Sequence, residues 1–484
     1  MENMCQNIGR GLLMKNSINL FIDGRLPLNI DKNNYSTNLD FWIMGCIYQG
    51  IRMYDKSYKL SDRLLTYFDF DDVTSKYILK FKKITDSSGK LLSIEDIKKS
   101  IEDNLKNIRE GNKQKYNDIL GIERFFLSLD NNISGIEVIN QNTMYIHVNK
   151  KNLNIENLLL LPVGVASQTV DKITNYGDLN LIGIGPYIPY KVGVDVVNFV
   201  RNRYFHLGIP KIKNMNIYFG NTEKKKKYIL EKKIDFFQIN KNDLELLHFV
   251  PDNYRIYGLE SLNTSCIFFN FEIEKMKSIE VRRFIQKLIY SIDYKREVCF
   301  GYAENIYDFY PNVLKKSFQI EKSFYKSNND FSNIYMDKII IGYKRGECFQ
   351  KKVLELIKDR VKNIVNIEIK ESLNMKESFS LGADLFITDL LHQILPISNG
   401  FVFEYIESLN DRSFTKLKDN IKILKYNNSI CNILNFISEI NNVIPLISFL
   451  SFNDIQVIDK KFKNLSPDAR GVLWNIHEIY YKEN

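Results

Sequence analysis

GIGPYIPYKVGVDVVNFVRNRYFHLGIPKIKNMNIYF, residues 183–219, poses the question on which the fold turns. Two glycines one residue apart follow an apolar run, as they do in phosphate-cradling loops. A dinucleotide fingerprint, however, needs G-x-G-x-x-G opening a helix. Here Gly183 and Gly185 are followed by Pro186 and Tyr187, with no third glycine in place. The sequel KVGVDVVNFV alternates and reads as β-structure. Gly185 permits an unusual backbone angle and Pro186 fixes its own φ, so the stretch predicts a turn feeding a strand.

The segments on either side alternate between strand and helix, which argues a mixed α/β protein. SINLFI, 17–22, predicts an opening strand, and NLDFWIMGCIYQGIRMYD, 38–55, a helix that Asn38 would cap. SKYILKFKKI, 75–84, alternates as a strand. LSIEDIKKSIEDNLKNI, 92–108, is an amphipathic helix whose Ser93 and Asp96 form a capping box. ISGIEVINQNTMYIHVN, 133–149, predicts a hairpin turning at Asn-Gln-Asn. IDFFQI, 234–239, and SCIFFNF, 265–271, predict apolar strands, and SIEVRRFIQKLIYSID, 278–293, an amphipathic helix. KIIIGY, 338–343, then CFQKKVLELIKDRVKNI, 348–364, and NIEIKES, 366–372, read as strand, helix, strand.

At 484 residues the chain is long for one domain, and its 44% hydrophobic content supplies a sizeable core. With 67 basic against 58 acidic residues, the net charge is +9 and the charges are interspersed. The densest run, Lys224–Lys227, reads as the solvated face of a short helix, so no nucleic-acid partner is expected. The six cysteines are scattered without a C-x-x-C, which excludes the usual metal-ligand spacing and favours a reducing compartment. The N-terminus shows no basic segment before an apolar core, and Cys5 lacks the small apolar residues that precede a lipidated cysteine. As written, the chain is expected in the cytoplasm; an upstream start would place it outside. No apolar run reaches 18 residues, so no membrane span is expected.

The chemical motifs are largely excluded. P-loop, H-E-x-x-H and G-x-S-x-G patterns are missing, and the five histidines lie far apart. Asp71–Asp72 and Glu371 with Glu377 are paired carboxylates, but solvated surface charge accounts for them. No enzyme, cofactor or metal is expected.

The collinear order of segments carries a resemblance. Gly183, Gly185, Pro186, Tyr187, Asn202, Tyr204, Gly208 and Pro210 are similar to the "GTGPY … N-x-x-Y-x-x-G-x-P" signature of the peptide-type solute-binding proteins. These are the oligopeptide, dipeptide and nickel-binding components of ABC importers. LNIDKNN…IYQGIRMYD, 28–55, YILKFKK…SSGKLLSIEDIKKSI, 77–101, LEKKIDFFQI, 230–239, and FFNFEIEKMKSIEVRRFIQKLIYSIDYKREV, 268–298, resemble further family segments in order, as do IPLISF, 444–449, and ARGVLWNIHEIYYK, 469–482. Asp31 lacks the family's following proline, and Ile273–Lys277 lacks its Pro-Phe. GADLFITDLLHQILPI, 382–397, lacks the tryptophan that precedes an acidic, amine-binding residue in peptide binders. With the RYF…IP and SCIFFN forms, this region is closer to the sensor domain of sugar-phosphate-stress regulators. The roughly 30 residues before the first matching segment are too few for those regulators' helix-turn-helix.

The resemblance implies a two-lobed, periplasmic-binding-protein-like α/β fold (type II, peptide-binding cluster) with an extra subdomain on lobe one. It places lobe one at 1–45, 165–258 and 452–484, the subdomain at 46–164 and lobe two at 259–451. The lobes close on a ligand by a hinge. The implied ligand contacts are Tyr35, Ser36, Thr37 and Asn38 on the loop before the first helix. Asn263, Thr264 and Ser265 follow on a crossover strand, and Thr388, Asp389 and His392 in the region of the missing amine site. Several have structural alternatives: Ser36 and Asn38 as helix caps, and Asp389 as the cap of an LLHQI helix. Arg282 and Arg283 read as surface or lobe-packing residues. The set suits a small polar or peptide-like ligand, with Asp389 available for an amine. The expected function is a monomeric solute-binding protein delivering to an ABC permease; the alternative is a cytoplasmic ligand sensor with the same fold and no transport role.

Overall fold

The computed structural model describes residues 16–26, 28–29, 38–54, 60–108, 113–163, 172–173, 176–317, 320, 336–392, 400–425, 427, 429–464 and 476–482. The chain divides into two compact units. The first comprises Met1–Gln238, Glu245–Ile256 and Gln456–Asn484, and the second Ile239–Leu244 and Tyr257–Ile455.

The first unit is built on an eight-stranded sheet. Its order is Gly177–Asp178, Tyr187–Val192, Val196–Arg201, Asn214–Gly220, Ser17–Asp23, Phe236–Ile239, Asp454–Asp459 and Tyr254–Leu259. The opening strand SINLFID lies near the centre, parallel to Asn214–Gly220 in register Ser17↔Asn214 and to Phe236–Ile239 at Leu20↔Phe236. Leu20, Phe21 and Ile22 are buried, as a run covered on both faces must be.

A four-stranded antiparallel sheet in the same unit, ordered Leu65–Asp71, Lys76–Phe81, Thr143–His147 and Ile136–Asn140, has its own core. Leu79, Met144 and Ile146 from the sheet join Ile97, Ile101 and Leu105 from the helix Ile94–Lys106. Ser93 caps that helix: its side chain accepts from the Asp96 N–H, and the Asp96 carboxylate accepts from the Ser93 N–H at 3.2 Å. The capping box therefore forms as its spacing predicts.

GIGPY is a turn into a strand, for a different reason from the one expected. Gly185 does not adopt a left-handed φ. It lies against the end of the helix Asn38–Ile47, where its N–H donates to the Ile47 carbonyl at 2.8 Å. A Cβ there would sit 2.1 Å from the Cys46 carbonyl oxygen. Close backbone approach is what demands glycine. Asn202 locks the turn by donating from its side chain to the Gly185 carbonyl at 2.9 Å.

Two other expectations are corrected. The helix predicted over 38–55 ends at Ile47, and Gln49–Gly50 instead pairs with Pro162–Val163. Gly50 sits where a Cβ would meet the Leu160 carbonyl at 2.9 Å, a contact that local pattern does not reveal. KVGVDVVNFV is split by a turn in which the Gly193 N–H donates to the Val196 carbonyl at 2.7 Å, giving a hairpin rather than one strand.

The second unit carries a six-stranded sheet ordered Ala303–Asn305, Leu446–Phe452, Asn263–Phe269, Leu385–Leu391, Lys338–Lys344 and Asn366–Ser372. NTSCIFF is antiparallel to both neighbours and buried from Thr264 onward. Lys338–Lys344, the helix Cys348–Val361 and Asn366–Ser372 form the expected strand–helix–strand unit, with the two strands parallel. Arg282 is 3% exposed and donates to the carbonyls of Met276, Lys277 and Val443, so it is a packing residue. No helix among the described residues is long and apolar enough to cross a membrane.

Candidate functional site

Tyr35, Ser36 and Thr37 lie outside the described residues. Asn38 begins the helix Asn38–Ile47. The other six candidates all fall on two adjacent strands of the second unit or just beyond them. Register brings Ser265 opposite Asp389, Cys266 opposite Thr388 and Thr264 opposite Leu390. Leu385–Leu391 is a strand, so Asp389 does not cap a helix.

Asp389 is the hub. One carboxylate oxygen accepts from the Ser265 hydroxyl at 2.7 Å, and the other from the Gln350 side-chain amide at 2.7 Å. That second oxygen also contacts the Lys241 ammonium. Ser265 and Gln350 are buried, whereas Lys241 and Asp389 are 22% and 24% exposed. Lys241 opens a short 3-10 segment, Lys241–Phe249, and its ammonium lies 5.4 Å from the centre of the Phe349 ring. The adjacent Asn242 side chain accepts from the Phe349 N–H at 3.0 Å, at the start of the helix Cys348–Val361. Burial pulls the Lys241 ammonium down, to about 8, while the Glu347 charge works against that shift. The Asp389 contact acts in the same sense as Glu347, and the ammonium stays charged at neutral pH.

A second cluster lies on the same strand pair. The Thr264 hydroxyl and His392 Nε2 are 2.9 Å apart, and Thr264 Oγ1 is 3.3 Å from the Cys266 thiol. Cys266 in turn meets the Ser448 hydroxyl at 3.0 Å. The His392 ring contacts Phe309 and Tyr310 edge-on, with centroids 5.0 and 5.5 Å away. Its Nδ1 has no partner among the described residues. Burial alone takes His392 down to about 3 and the Cys266 thiol up to about 12, although bonds from Ser448 and Thr264 oppose the latter. Both groups are therefore neutral near pH 7. Asn263 is exposed and Thr388 half-buried.

The sequence reading missed Lys241 and Gln350. Gln350 had a signal: it is the polar member of a buried stripe otherwise made of Phe349, Val353, Leu354, Ile357 and Val361. A polar residue within an apolar stripe has a specific partner to satisfy. Lys241, next to the strand Phe236–Ile239, carried no such mark. Two shallow concavities of about 510 and 350 Å³ lie in the first unit, and none of the candidate residues lines them. Among the described residues no group of three or more metal-binding side chains comes together.

The second of the two compact units thus carries a polar, charge-paired strand face centred on Asp389. The sequence profile of the bacterial extracellular solute-binding proteins, family 5 (middle), matches residues 60–368, and the chain belongs to that family. No curated protein sequence matches it. Similar solved structures include NikZ from Campylobacter jejuni in complex with Ni(L-His), at 17% identity and TM-score 0.67, covering 96% of this chain and 99% of that one. The ABC-transporter substrate-binding protein CtaP from Listeria monocytogenes is 15% identical with TM-score 0.72, at 96% and 99% coverage. The oligopeptide-binding protein AppA from Bacillus subtilis, in complex with a nonapeptide, is 13% identical with TM-score 0.61, at the same coverage. The type II periplasmic-binding-protein-like fold is thus present over nearly the whole chain. The chain is a solute-binding protein of the ABC-importer type.

Proposed function

We propose that this protein captures a small polar solute for an ABC permease, and that the Asp389 face of the second unit takes part in holding it. The observation that carries the reading is the convergence of Ser265, Gln350 and Lys241 on one half-exposed carboxylate, with Thr388 and Asn263 close by on the same strand pair. Groups fixed in this way are pre-organised, which lowers the entropic cost of binding. Thr264 and His392 support the face from beneath as a buried pair.

In this reading lobe one, with its inserted subdomain over 46–164, corresponds to the first compact unit and lobe two, over 259–451, to the second, which also takes Ile239–Leu244 from the 165–258 stretch expected in lobe one. The separate core running from Ile51 to Ile184 supports the subdomain. Nickel–histidine and peptides, found in complex with two of the structural relatives, set the first ligands to try. The protein binds without turnover. A Cys266 thiol raised to about 12 is a poor nucleophile, and a His392 lowered to about 3 is far from the range of a general base at neutral pH.

Native mass spectrometry of the purified protein tests the reading by identifying a co-purifying solute. A thermal-shift screen follows, in which a ligand at 100 times its Kd stabilises by about 2.7 kcal/mol. A solute whose binding is unaffected by Ser265→Ala and Asn263→Ala, the two positions that share the Asp389 face by strand alternation, would remove that face from the site. Chemical conversion of the bound solute would overturn the non-enzymatic role.

A further inference from the structure

The carboxylate that the sequence offers to a ligand amine already has one. Asp389 Oδ1 is taken by Ser265, and Oδ2 by Gln350 and the Lys241 ammonium. Lys241 does not reach this position by chance of a flexible surface chain. Its neighbour Asn242 is bonded to the Phe349 N–H at 3.0 Å, and the Phe349 ring packs on Phe452 with centroids 5.6 Å apart. Lys241 is 22% exposed, and the nearby Glu347 charge also favours its ammonium form.

A tethered partner competes as an intramolecular ligand, at effective concentrations of order millimolar or higher. A solute ammonium entering here would have to expel Lys241 and strand a half-buried cation beside it. That is a repulsive element built against one ligand class. Resting on the reading that the Asp389 face contacts solute, we propose that Lys241 is a specificity-determining residue: it fills the Asp389 carboxylate as a built-in counter-ion and restricts the site to solutes without a free amino group at this position. The Gln350 side-chain oxygen, buried and without a partner among the described residues, marks where such a solute can offer a neutral N–H or O–H donor instead.

Calorimetric titration with tri-alanine and N-acetyl-tri-alanine tests this on the full chain, its Lys241→Met variant and the Lys241→Met/Asp389→Asn double variant. The wild type should bind the two peptides within about threefold of each other, or bind neither. Lys241→Met exposes the carboxylate and should bind tri-alanine at least tenfold tighter than the acetylated form, and the double variant should lose that preference. A wild type that already prefers the free amine tenfold overturns the proposal, as does a folded Lys241→Met variant with no preference. If Lys241→Met does not fold, Lys241→Gln takes its place; failure of both would make Lys241 structural and also overturn the proposal. Amine preference in the variant with no solute found for the wild type would sink the proposed ligand chemistry alone. A solute found for the wild type without amine preference in the variant would sink the Lys241 assignment alone.

Discussion

His392 should make the second unit acid-sensitive in a way one substitution removes. The unfolded chain takes up a proton on this imidazole near the ordinary value of 6.5, whereas the folded protein resists until about 3, because charging the ring would place a cation among Phe309, Tyr310 and Thr264. Between those values the unfolded state binds more protons, so stability is complete above pH 6.5 and falls as pH drops below it. At pH 5 the loss is 1.5 pH units at 1.36 kcal/mol each, about 2 kcal/mol. For a unit of this size that lowers the melting temperature by about 4–8 °C. His206, held down to about 4, and His477, also lowered, add losses of the same sign in the first unit. The comparison is therefore differential: wild type and His392→Gln, melted by scanning calorimetry from pH 7.5 to 5.0. The gap between their melting temperatures should change by that amount as pH falls. Parallel curves would refute the argument, because they would mean that the folded protein takes up the His392 proton as readily as the unfolded chain.

Three further outcomes follow from packing. Lys225→Met should lose about 1–3 kcal/mol in urea denaturation, since it removes the charge-assisted bonds of a fully buried ammonium to Asp23 at 2.7 Å and to the Gln238 carbonyl at 3.1 Å; an unchanged midpoint would show that those bonds contribute nothing net. Gln456→Met should gain about 1–3 kcal/mol and raise the urea midpoint, because both polar atoms of this fully buried amide lack partners among the described residues; an unchanged midpoint would show that the amide is satisfied. Gly185→Ala should lose more than about 3 kcal/mol or fail to yield soluble protein, since its Cβ would lie 2.1 Å from a backbone oxygen that cannot move aside; a stable Gly185→Ala protein would contradict the close-approach account.

What the sequence revealed was local or collinear. The Ser93–Asp96 box, the hairpin at Asn140–Asn142 and the apolar run of SCIFFNF depend on neighbours within a few residues, and all three formed. The order of loose motifs pointed to the family, because many weak matches in sequence outweigh each one alone. What escaped depends on partners distant in the chain. The Lys224–Lys227 run read as a solvated face, yet Lys225 is buried by Asp23, 202 residues away. The first helix ends at Ile47, and Gln49–Gly50 beyond it pairs with Pro162–Val163, a partner far along the chain. Asp389 looked available because nothing in its own strand reveals that Lys241 and Gln350 converge on it.

The described cysteines also make the molecule its own folding reporter. Cys46 in the first unit and Cys266 and Cys299 in the second are buried and free, and burial suppresses their thiolates; Cys348 and Cys431 are exposed. An alkylating reagent applied to the native protein should modify the exposed pair at once and reach the buried thiols only when a unit opens. Mapping the modified peptides over time would then give an opening rate for each unit separately, without adding a probe to either.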